Sequence, residues 1–110
     1  MYEQREIVLI PFPYSDLTGT KQRPAMILSN KKLNKTEDRI CCLITSNEHK
    51  DDLLIDKSSF EREKLPFQSW VRPHRLFTIN VKIIRKVLCK VNDEFFNEVV
   101  NGVDRYIKRD

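Results

Sequence analysis

A mainly β domain closed by one C-terminal amphipathic helix is the fold class that this sequence predicts. Short apolar runs separated by polar, proline-containing segments recur from Ile7 to Leu88, as in a small antiparallel barrel or curled sheet. The segment Val91–Ile107 instead carries apolar residues at helical spacing. With 110 residues, 40% of them hydrophobic and 33% charged, the chain is expected to form one domain over residues 1–110, with a modest core.

The first two strands are predicted at Ile7–Phe12 and Pro24–Asn30. Pro11 and Pro13 are expected to end the first strand, and Pro24 to open the second, where a missing N–H is tolerated. Further strands are predicted at Arg39–Ser46, Asp52–Asp56, Phe67–Ile79 (one or two strands, interrupted at Pro73) and Val81–Leu88. Between them lie a polar connection, Lys31–Asp38, and a charged turn region, Lys57–Pro66.

The C-terminal helix has a clear start signal. Asn92 is a suitable N-cap, and two acids follow it in the first turn, where the helix dipole favours them. Val91 and Phe96 stand in hydrophobic-staple positions. Gly102 costs a helix interior about 1 kcal/mol relative to alanine, which the apolar stripe can offset.

The three cysteines, Cys41, Cys42 and Cys89, do not have the spacing of a disulfide framework or a zinc site. On an extended strand, the adjacent Cys41 and Cys42 point to opposite faces. We expect reduced, mostly buried thiols in a cytoplasmic protein. No apolar run is long enough to span a bilayer, and the N-terminus has no signal-peptide pattern.

Positive charge is unevenly distributed along the chain. The net charge is +4, and from Lys64 to Asn92 there are seven Lys or Arg residues and no acid. This asymmetry is typical of a face that binds a polyanion. An ordinary solvated surface with uneven charges explains it equally well.

Several kinds of chemistry lack the residues they need. The chain has two glycines, Gly19 and Gly102, so no phosphate-binding loop is present. His49 and His74 are the only histidines and are not at metal-ligand spacing, and no nucleophile elbow occurs. We therefore expect no metal and no cofactor.

The segment between the first two predicted strands is longer than a turn requires. A tight turn would join two strands with less ordering entropy, so a long polar loop from Pro11 to Lys21 indicates a function. The loop is expected to be a mobile flap whose far end presents Arg23. A guanidinium stays charged and offers a planar fork of donors to a phosphate.

Arg23 suits metal-free RNA cleavage. There the 2′-hydroxyl attacks the adjacent phosphorus, and negative charge builds on the non-bridging oxygens, which an arginine can stabilise. The simpler alternative is a surface arginine paired with Asp16 or another acid.

Thr45 and Ser46 end the apolar strand, where hydroxyls can donate to a phosphate or a base edge. Strands also end routinely in such turn residues, and the sequence alone favours this simpler role.

Aromatic and cationic side chains alternate in a later segment. Rings that stack on bases and arginines that meet phosphates are typical of single-stranded nucleic-acid binding. A period of two would place Trp70, Arg72 and His74 on one face unless Pro73 breaks the register, with Arg75 close by. The alternative is that Trp70 and Phe77 are core residues and only the arginines are exposed.

The run IVLIPFPYSDLTGTKQRPAMILSN closely resembles the N-terminal signature of the MazF/PemK family of toxin endoribonucleases. The resemblance continues through Ile44-Thr45-Ser46 and WVRPHRLFTI and ends on the C-terminal helix. It implies a small SH3-like antiparallel barrel (the CcdB/PemK type) with a C-terminal helix, a homodimer, and metal-independent cleavage of single-stranded RNA. It also implies neutralisation by a cognate antitoxin protein.

Carried over residue by residue, the resemblance implies that Arg23 and Thr45 are the pair around the scissile phosphate. Arg23 is then expected to stabilise the transition state rather than act as a base, because a guanidinium stays protonated in proteins. The RNA would lie across a groove formed by the Tyr14–Gln22 loop, Thr45–Ser46 and the Trp70–Arg75 segment. The candidate RNA-binding residues are Tyr14, Asp16, Thr20, Lys21, Ser46, Trp70, Arg72, His74 and Arg75.

Two other functions stay open, because a fold does not by itself prove cleavage. One is a non-catalytic toxin that binds a protein target such as DNA gyrase. The other is an RNA-binding regulator that does not cleave.

Overall fold

The computed structural model describes residues 2–13 and 20–110. Seven strands and two α-helices run through these residues. The strands are β1 (Glu6–Pro13), β2 (Thr20–Ile27), β3 (Asp38–Thr45), β4 (Leu53–Ile55), β5 (Phe60–Arg62), β6 (Ser69–Asn80) and β7 (Lys86–Val91). The helices are α1 (Lys31–Asn34) and α2 (Asp93–Ile107), and single 3₁₀ turns lie at Lys57–Ser59 and Val81–Ile83.

All seven strands form one antiparallel sheet in the order β4-β6-β3-β2-β1-β7-β5. The sheet curls into a half-barrel, and α2 closes one side, so the predicted fold class is confirmed. The two longest pairings are β1 with β2, over seven residue pairs, and β3 with β6, over eight. The predicted strand Val81–Leu88 is wrong in its bounds, because its first residues form a 3₁₀ turn that crosses from β6 to β7.

The hairpin of β1 and β2 is longer than predicted. Its pairing reaches Pro13↔Thr20, so Arg23 lies inside β2, opposite Ile10, and not at the end of a long loop. The prediction failed because prolines were taken as strand ends. In the β1–β2 ladder, the three residue pairs that contain Pro11, Pro13 or Pro24 alternate with pairs that contain no proline. Those pairs are of the non-hydrogen-bonded class, where the missing N–H points away from the partner strand.

Strand β6 is continuous in sequence but carries a large bulge. Leu43 pairs with Arg72 while its neighbour Cys42 pairs with Leu76, so Pro73, His74 and Arg75 have no partner on β3. The interruption predicted at Pro73 is therefore a bulge within one strand, which a residue without an N–H tolerates.

Two apolar clusters occupy the two faces of the sheet. The helix face carries Ile7, Met26, Cys42, Ile44 and Val71, packed with residues of α2. The second face carries Val8, Ile10, Ala25, Ile27, Cys41, Ile79 and Ile84. Cys41 and Cys42 thus lie on opposite faces, as predicted, and all three cysteines are free and buried. Burial raises the pKa of Cys41 and of Cys89 to about 12 and raises that of Cys42 as well.

Helix α2 packs its apolar stripe on the helix face. Its predicted cap is confirmed, because Asn92 Oδ1 accepts a hydrogen bond from the Phe95 N–H at 2.9 Å. Phe95, Phe96 and Val99 are buried against the sheet. In the described residues, no helix is long and apolar enough to cross a membrane.

Gly102 has a packing role that the sequence did not reveal. A Cβ at this position would lie 3.2 Å from Leu53 Cδ1 and 3.3 Å from Pro73 Cβ. The glycine therefore lets α2 approach both β4 and the bulge of β6. The bulge residue Pro73 is buried beneath the helix by this contact.

We expect Gly102→Leu to lower the free energy of unfolding by about 1–3 kcal/mol, because overpacked side chains force neighbours out of place. Urea denaturation followed by circular dichroism measures the change. The matched control is Asn101→Leu, which puts the same side chain on an exposed neighbouring position. Equal stability of the two variants would contradict the close packing of α2 on Pro73.

Candidate functional site

The register of three adjacent strands brings the predicted site residues together. On the second face, Ala25 pairs with Leu43, and Leu43 pairs with Arg72. Side chains two residues apart on a strand share a face. Arg23 on β2 and Thr45 on β3 therefore extend the same face beyond the Ala25↔Leu43 pair.

Thr45 also pairs directly with Trp70 on β6. The four side chains of Arg23, Thr45, Trp70 and Arg72 thus lie on one face, at the end of the sheet where the β1–β2 connection begins. We call this set the cationic face. Of the three residues that period two placed together on β6, Trp70 and Arg72 belong to it and His74 does not.

Arg23 is half-buried in β2, and Lys21, two residues earlier on the same face, is exposed. Arg23 lies on a paired strand, so the expectation that the end of a loop carries it is wrong. The middle of the predicted flap lies outside the described residues. Pro24 is the next residue of β2. At this position β2 pairs with β1 alone, because its pairing with β3 begins at Ala25.

Thr45 is 6% exposed, and its hydroxyl belongs to a turn. Oγ1 accepts a hydrogen bond from the Asn47 N–H at 3.1 Å and donates one to the Asn47 carbonyl at 3.2 Å. The turn role that the sequence offered as the alternative for Thr45 is therefore present. Only the longer, 3.2 Å bond uses the hydroxyl proton. Ser46 comes next and is exposed.

Trp70 is half-buried and belongs to neither apolar cluster. Its strand partners on the two sides are Thr45 and Leu54. Phe77, in contrast, packs on Phe12 with ring centroids 5.5 Å apart. Of the two aromatic residues, Phe77 packs on the second apolar cluster, whereas Trp70 belongs to neither cluster.

The buried carboxylate of Asp52 forms an ion pair with Arg72 of the cationic face. The Asp52 side chain is 0% exposed, and its Oδ1 lies 3.5 Å from Nε of Arg72, whose side chain is 14% exposed. Asp52 Oδ2 accepts the His49 N–H at 2.9 Å and lies 3.2 Å from His49 Nδ1. Among the described residues, Asp52 Oδ1 and Arg72 Nε are the buried side-chain atoms without a hydrogen bond.

This ion pair is the functional contact that sequence analysis missed. Asp52 is far from Arg72 along the chain, and nothing in the spacing of its neighbours links the two. Only the pairing of β4 with β6, which places Leu53 opposite Val71, brings them together.

The bulge takes His74 away from the cationic face. Its ring lies against Tyr106 of α2, with centroids 5.3 Å apart. The prediction that Trp70, Arg72 and His74 share one face is therefore wrong for His74, because the three bulged residues break the period of two. Arg75 is exposed beside it.

Tyr14 and Asp16 lie outside the described residues, so their predicted roles and the proposed pairing of Asp16 with Arg23 stay predictions. Thr20 is the first residue of β2, paired with Pro13. Thr20 therefore stands where the undescribed connection meets the sheet.

The basic stretch from Lys64 to Asn92 is partly neutralised by acids from other segments. Arg72 pairs with Asp52, and Lys90 Nζ lies 3.9 Å from Glu3 Oε2. The stretch is therefore not one continuous positive face. Within residues 2–13 and 20–110, no group of three or more His, Cys, Asp or Glu side chains could hold a metal ion.

The chain is thus a small curled β half-barrel, with a helix on one face and arginine, threonine and tryptophan gathered on the other. The sequence pattern of PemK-like, MazF-like toxins of type II toxin-antitoxin systems matches residues 3–107. The chain belongs to this family. No curated protein matches the sequence closely enough to add to this.

Several solved structures share this fold. An endoribonuclease from a mycobacterial species, in complex with its cognate antitoxin, superposes with a TM-score of 0.78 at 15% identity, covering 96% of this chain and 93% of that one. MazF from Deinococcus radiodurans gives 0.75 at 17% identity, with 97% and 96% covered. Mycobacterium tuberculosis toxin MazF-mt6 gives 0.74 at 16% identity, with 96% and 99% covered.

We expect Asp52→Asn to lower the free energy of unfolding by about 1–3 kcal/mol, because a buried charged group loses its partner. Thermal and urea denaturation measure the change. Asp51→Asn is the matched control, since Asp51 is exposed and its φ of 66° is one that asparagine tolerates. An Asp52 variant as stable as the Asp51 variant would show that the buried pair contributes nothing.

Proposed function

We propose that this protein is a metal-independent, sequence-specific endoribonuclease that cleaves single-stranded RNA as the toxin of a type II toxin–antitoxin pair. The observation that carries the proposal is the placement of Arg23, inside β2, and Thr45, at the end of the neighbouring β3, on one face of the sheet. Membership of the toxin family and the endoribonucleases among the similar structures support it.

In the proposed reaction, the 2′-oxygen of the RNA bonds to the adjacent phosphorus while the bond to the 5′-oxygen breaks. The products are a 2′,3′-cyclic phosphate and a 5′-hydroxyl. The 2′-hydroxyl loses one proton and the leaving oxygen gains one, so the proton count balances. Charge on the two non-bridging oxygens rises in the transition state.

Arg23 acts by stabilising that charge. Its guanidinium donates to the non-bridging oxygens and stays protonated throughout. A half-buried position strengthens the interaction, because water screens it less than at an open surface. The charge of Arg72 is partly balanced by Asp52.

Thr45 contributes a hydrogen bond to the same phosphate. Its hydroxyl proton turns from the Asn47 carbonyl, where the bond is 3.2 Å long, toward an incoming oxygen. The bond accepted from the Asn47 N–H at 3.1 Å remains and holds the hydroxyl in place. The turn thus holds the Thr45 hydroxyl in place, and the hydroxyl proton becomes available to the phosphate when the substrate binds.

The rest of the cationic face binds the RNA strand. Trp70 offers a ring for a base, and Lys21, Arg72 and Ser46 offer donors for the backbone. Arg75, exposed in the bulge of β6, is a further proposed contact, whereas His74 lies against Tyr106 of α2 and is left out of the proposed groove. Thr20, Tyr14 and Asp16 remain proposed contacts.

Two protein partners follow from the same proposal. A segment of a cognate antitoxin would cover the cationic face, in line with the antitoxin-bound endoribonuclease among the similar structures. A second copy of the chain would form a homodimer and cover exposed apolar side chains such as Tyr106 and Ile107 at the end of α2.

We expect Arg23→Ala to slow cleavage of single-stranded RNA by about 100-fold or more, the usual loss when one transition-state donor is removed. The assay uses purified protein, RNA of mixed sequence and excess chelator. Arg109→Ala, an exposed arginine at the C-terminus, is the control and should match the wild type.

One outcome of that assay, and one of a toxicity test in cells, would contradict the proposal. Salt-sensitive RNA binding without any product would indicate an RNA-binding regulator. Toxicity in cells that survives Arg23→Ala would indicate a protein target such as DNA gyrase.

Thr45 can be tested by removing its hydroxyl without changing its shape. We expect Thr45→Val to lower kcat by about tenfold, since a single neutral hydrogen bond is worth about 1 kcal/mol and somewhat more to a charged group. Thr45→Ser keeps the hydroxyl and should retain most of the activity. Circular dichroism checks that the turn at Asn47 tolerates both. Equal activity of the two variants would remove Thr45 from the mechanism.

A further inference from the structure

A second basic groove lies at the other end of the sheet from the cationic face. It has a volume of about 730 Å³ and runs between the N-terminal segment and α1. Six cations line it, against one acid, Glu3: Arg5, Lys31, Lys32, Lys35, Arg39 and Lys90. We call this feature the distal groove.

The walls of the distal groove are held in place by hydrogen bonds. On one side, Gln4 Nε2 donates to the Leu28 carbonyl at 2.8 Å. On the other, Ser29 Oγ donates to Asn34 Oδ1 at 2.6 Å and accepts the Ile40 N–H at 3.0 Å. Helix α1 is therefore anchored to β3, and the groove exists before any ligand binds.

Some of the positive charge in the groove is already matched. Arg5 pairs with Glu61 at 2.8 Å and with Asp93 at 3.3 Å, and Lys90 lies near Glu3. No ion pair of Lys31, Lys32, Lys35 or Arg39 occurs in the described part of the chain. Four cations thus face the groove without a carboxylate.

Arg39 gives the strongest indication that the distal groove binds an anion. It is 5% exposed, and its Nε and Nη1 donate only to the backbone carbonyls of Tyr2, Thr36 and Asp38. Nη2 makes no hydrogen bond within residues 2–13 and 20–110. A buried guanidinium that lacks a counter-charge is costly, and a bound anion would offset that cost.

The groove's other side chains indicate which anion fits. They are Tyr2 and the amides Gln4, Asn30 and Asn34, with no aliphatic residue among them. An acidic peptide would need apolar anchors in addition to charges. Lysine, arginine, tyrosine and amide side chains are instead the groups that contact phosphate and sugar in nucleic acids.

We propose that the distal groove binds the phosphodiester backbone of the RNA substrate, as a second site that holds the strand without reading its sequence. The proposal deepens the proposed endoribonuclease function and depends on RNA being the substrate. The distal groove would raise the affinity of the protein for RNA. Each lysine that neutralises a phosphate releases counterions, and this contribution to binding does not depend on the bases.

The test compares two variants of equal charge. Lys31→Gln, Lys32→Gln and Lys35→Gln combined alter the groove, while Lys50→Gln, Lys57→Gln and Lys108→Gln combined alter exposed lysines elsewhere. The probe is a long, fluorescently labelled 2′-O-methyl RNA, which cannot undergo attack by its 2′-oxygen. Affinity is measured by anisotropy between about 50 and 200 mM salt, and circular dichroism confirms folding.

For the groove variant, we expect the magnitude of the slope of log binding constant against log salt concentration to decrease by about two. Three phosphate contacts are lost, and each contributes about 0.7 to the slope on a single strand. The control variant should keep the wild-type slope. Equal slopes for the two variants would overturn the proposal. So would a groove variant that keeps its RNA slope but loses affinity for a polyglutamate peptide, because the groove would then be a peptide site.

The same measurement separates this proposal from the proposed activity. Because 2′-O-methyl RNA is not cleaved, binding in the distal groove is read independently of catalysis. RNA bound through the groove by a protein that never cleaves RNA would contradict the endoribonuclease function and support the groove assignment.

Discussion

The shared register of β2, β3 and β6 is the constraint on which the rest of the structure depends. Backbone hydrogen bonds fix Ala25 opposite Leu43 and Leu43 opposite Arg72. A slip of one residue in either pairing would turn every side chain to the other face. A slip between β2 and β3 would place Arg23 and Thr45 on opposite faces of the sheet. The chemistry proposed for this protein is thus set by main-chain pairing, and the apolar residues on both faces hold that pairing in register.

The bulge of β6 divides the strand into two parts with different tasks. Before the bulge, Trp70 and Arg72 belong to the cationic face, and Asp52 fixes Arg72 there. After it, Phe77 and Ile79 pack in the second apolar cluster. Pro73 sits beneath Gly102 of α2, so the helix and the bulge stabilise each other. The strand can therefore present polar residues at one end of the second face and a core at the other.

Much of this fold was predictable because its signals are local. The apolar stripe and the Asn92 cap predicted α2, and the continuously apolar β3 predicted a central strand with Cys41 and Cys42 on opposite faces. The length of the first hairpin was not predictable from its prolines, since their effect depends on which pairs of the ladder they occupy. The Asp52–Arg72 pair and the distal groove were missed because each joins segments distant in the sequence. Arg23 and Thr45 were selected by residue chemistry and by family resemblance, and the register adds a geometric reason.

The central claim is that RNA binds on the cationic face, beside the only tryptophan of the chain, Trp70. The most direct test is to titrate the protein with 2′-O-methyl RNA and follow tryptophan emission and its quenching by acrylamide, with binding measured in parallel by anisotropy. We predict that emission changes in step with the bound fraction and that acrylamide reaches the ring less readily in the complex. Saturable RNA binding that leaves both signals of Trp70 unchanged would contradict the account.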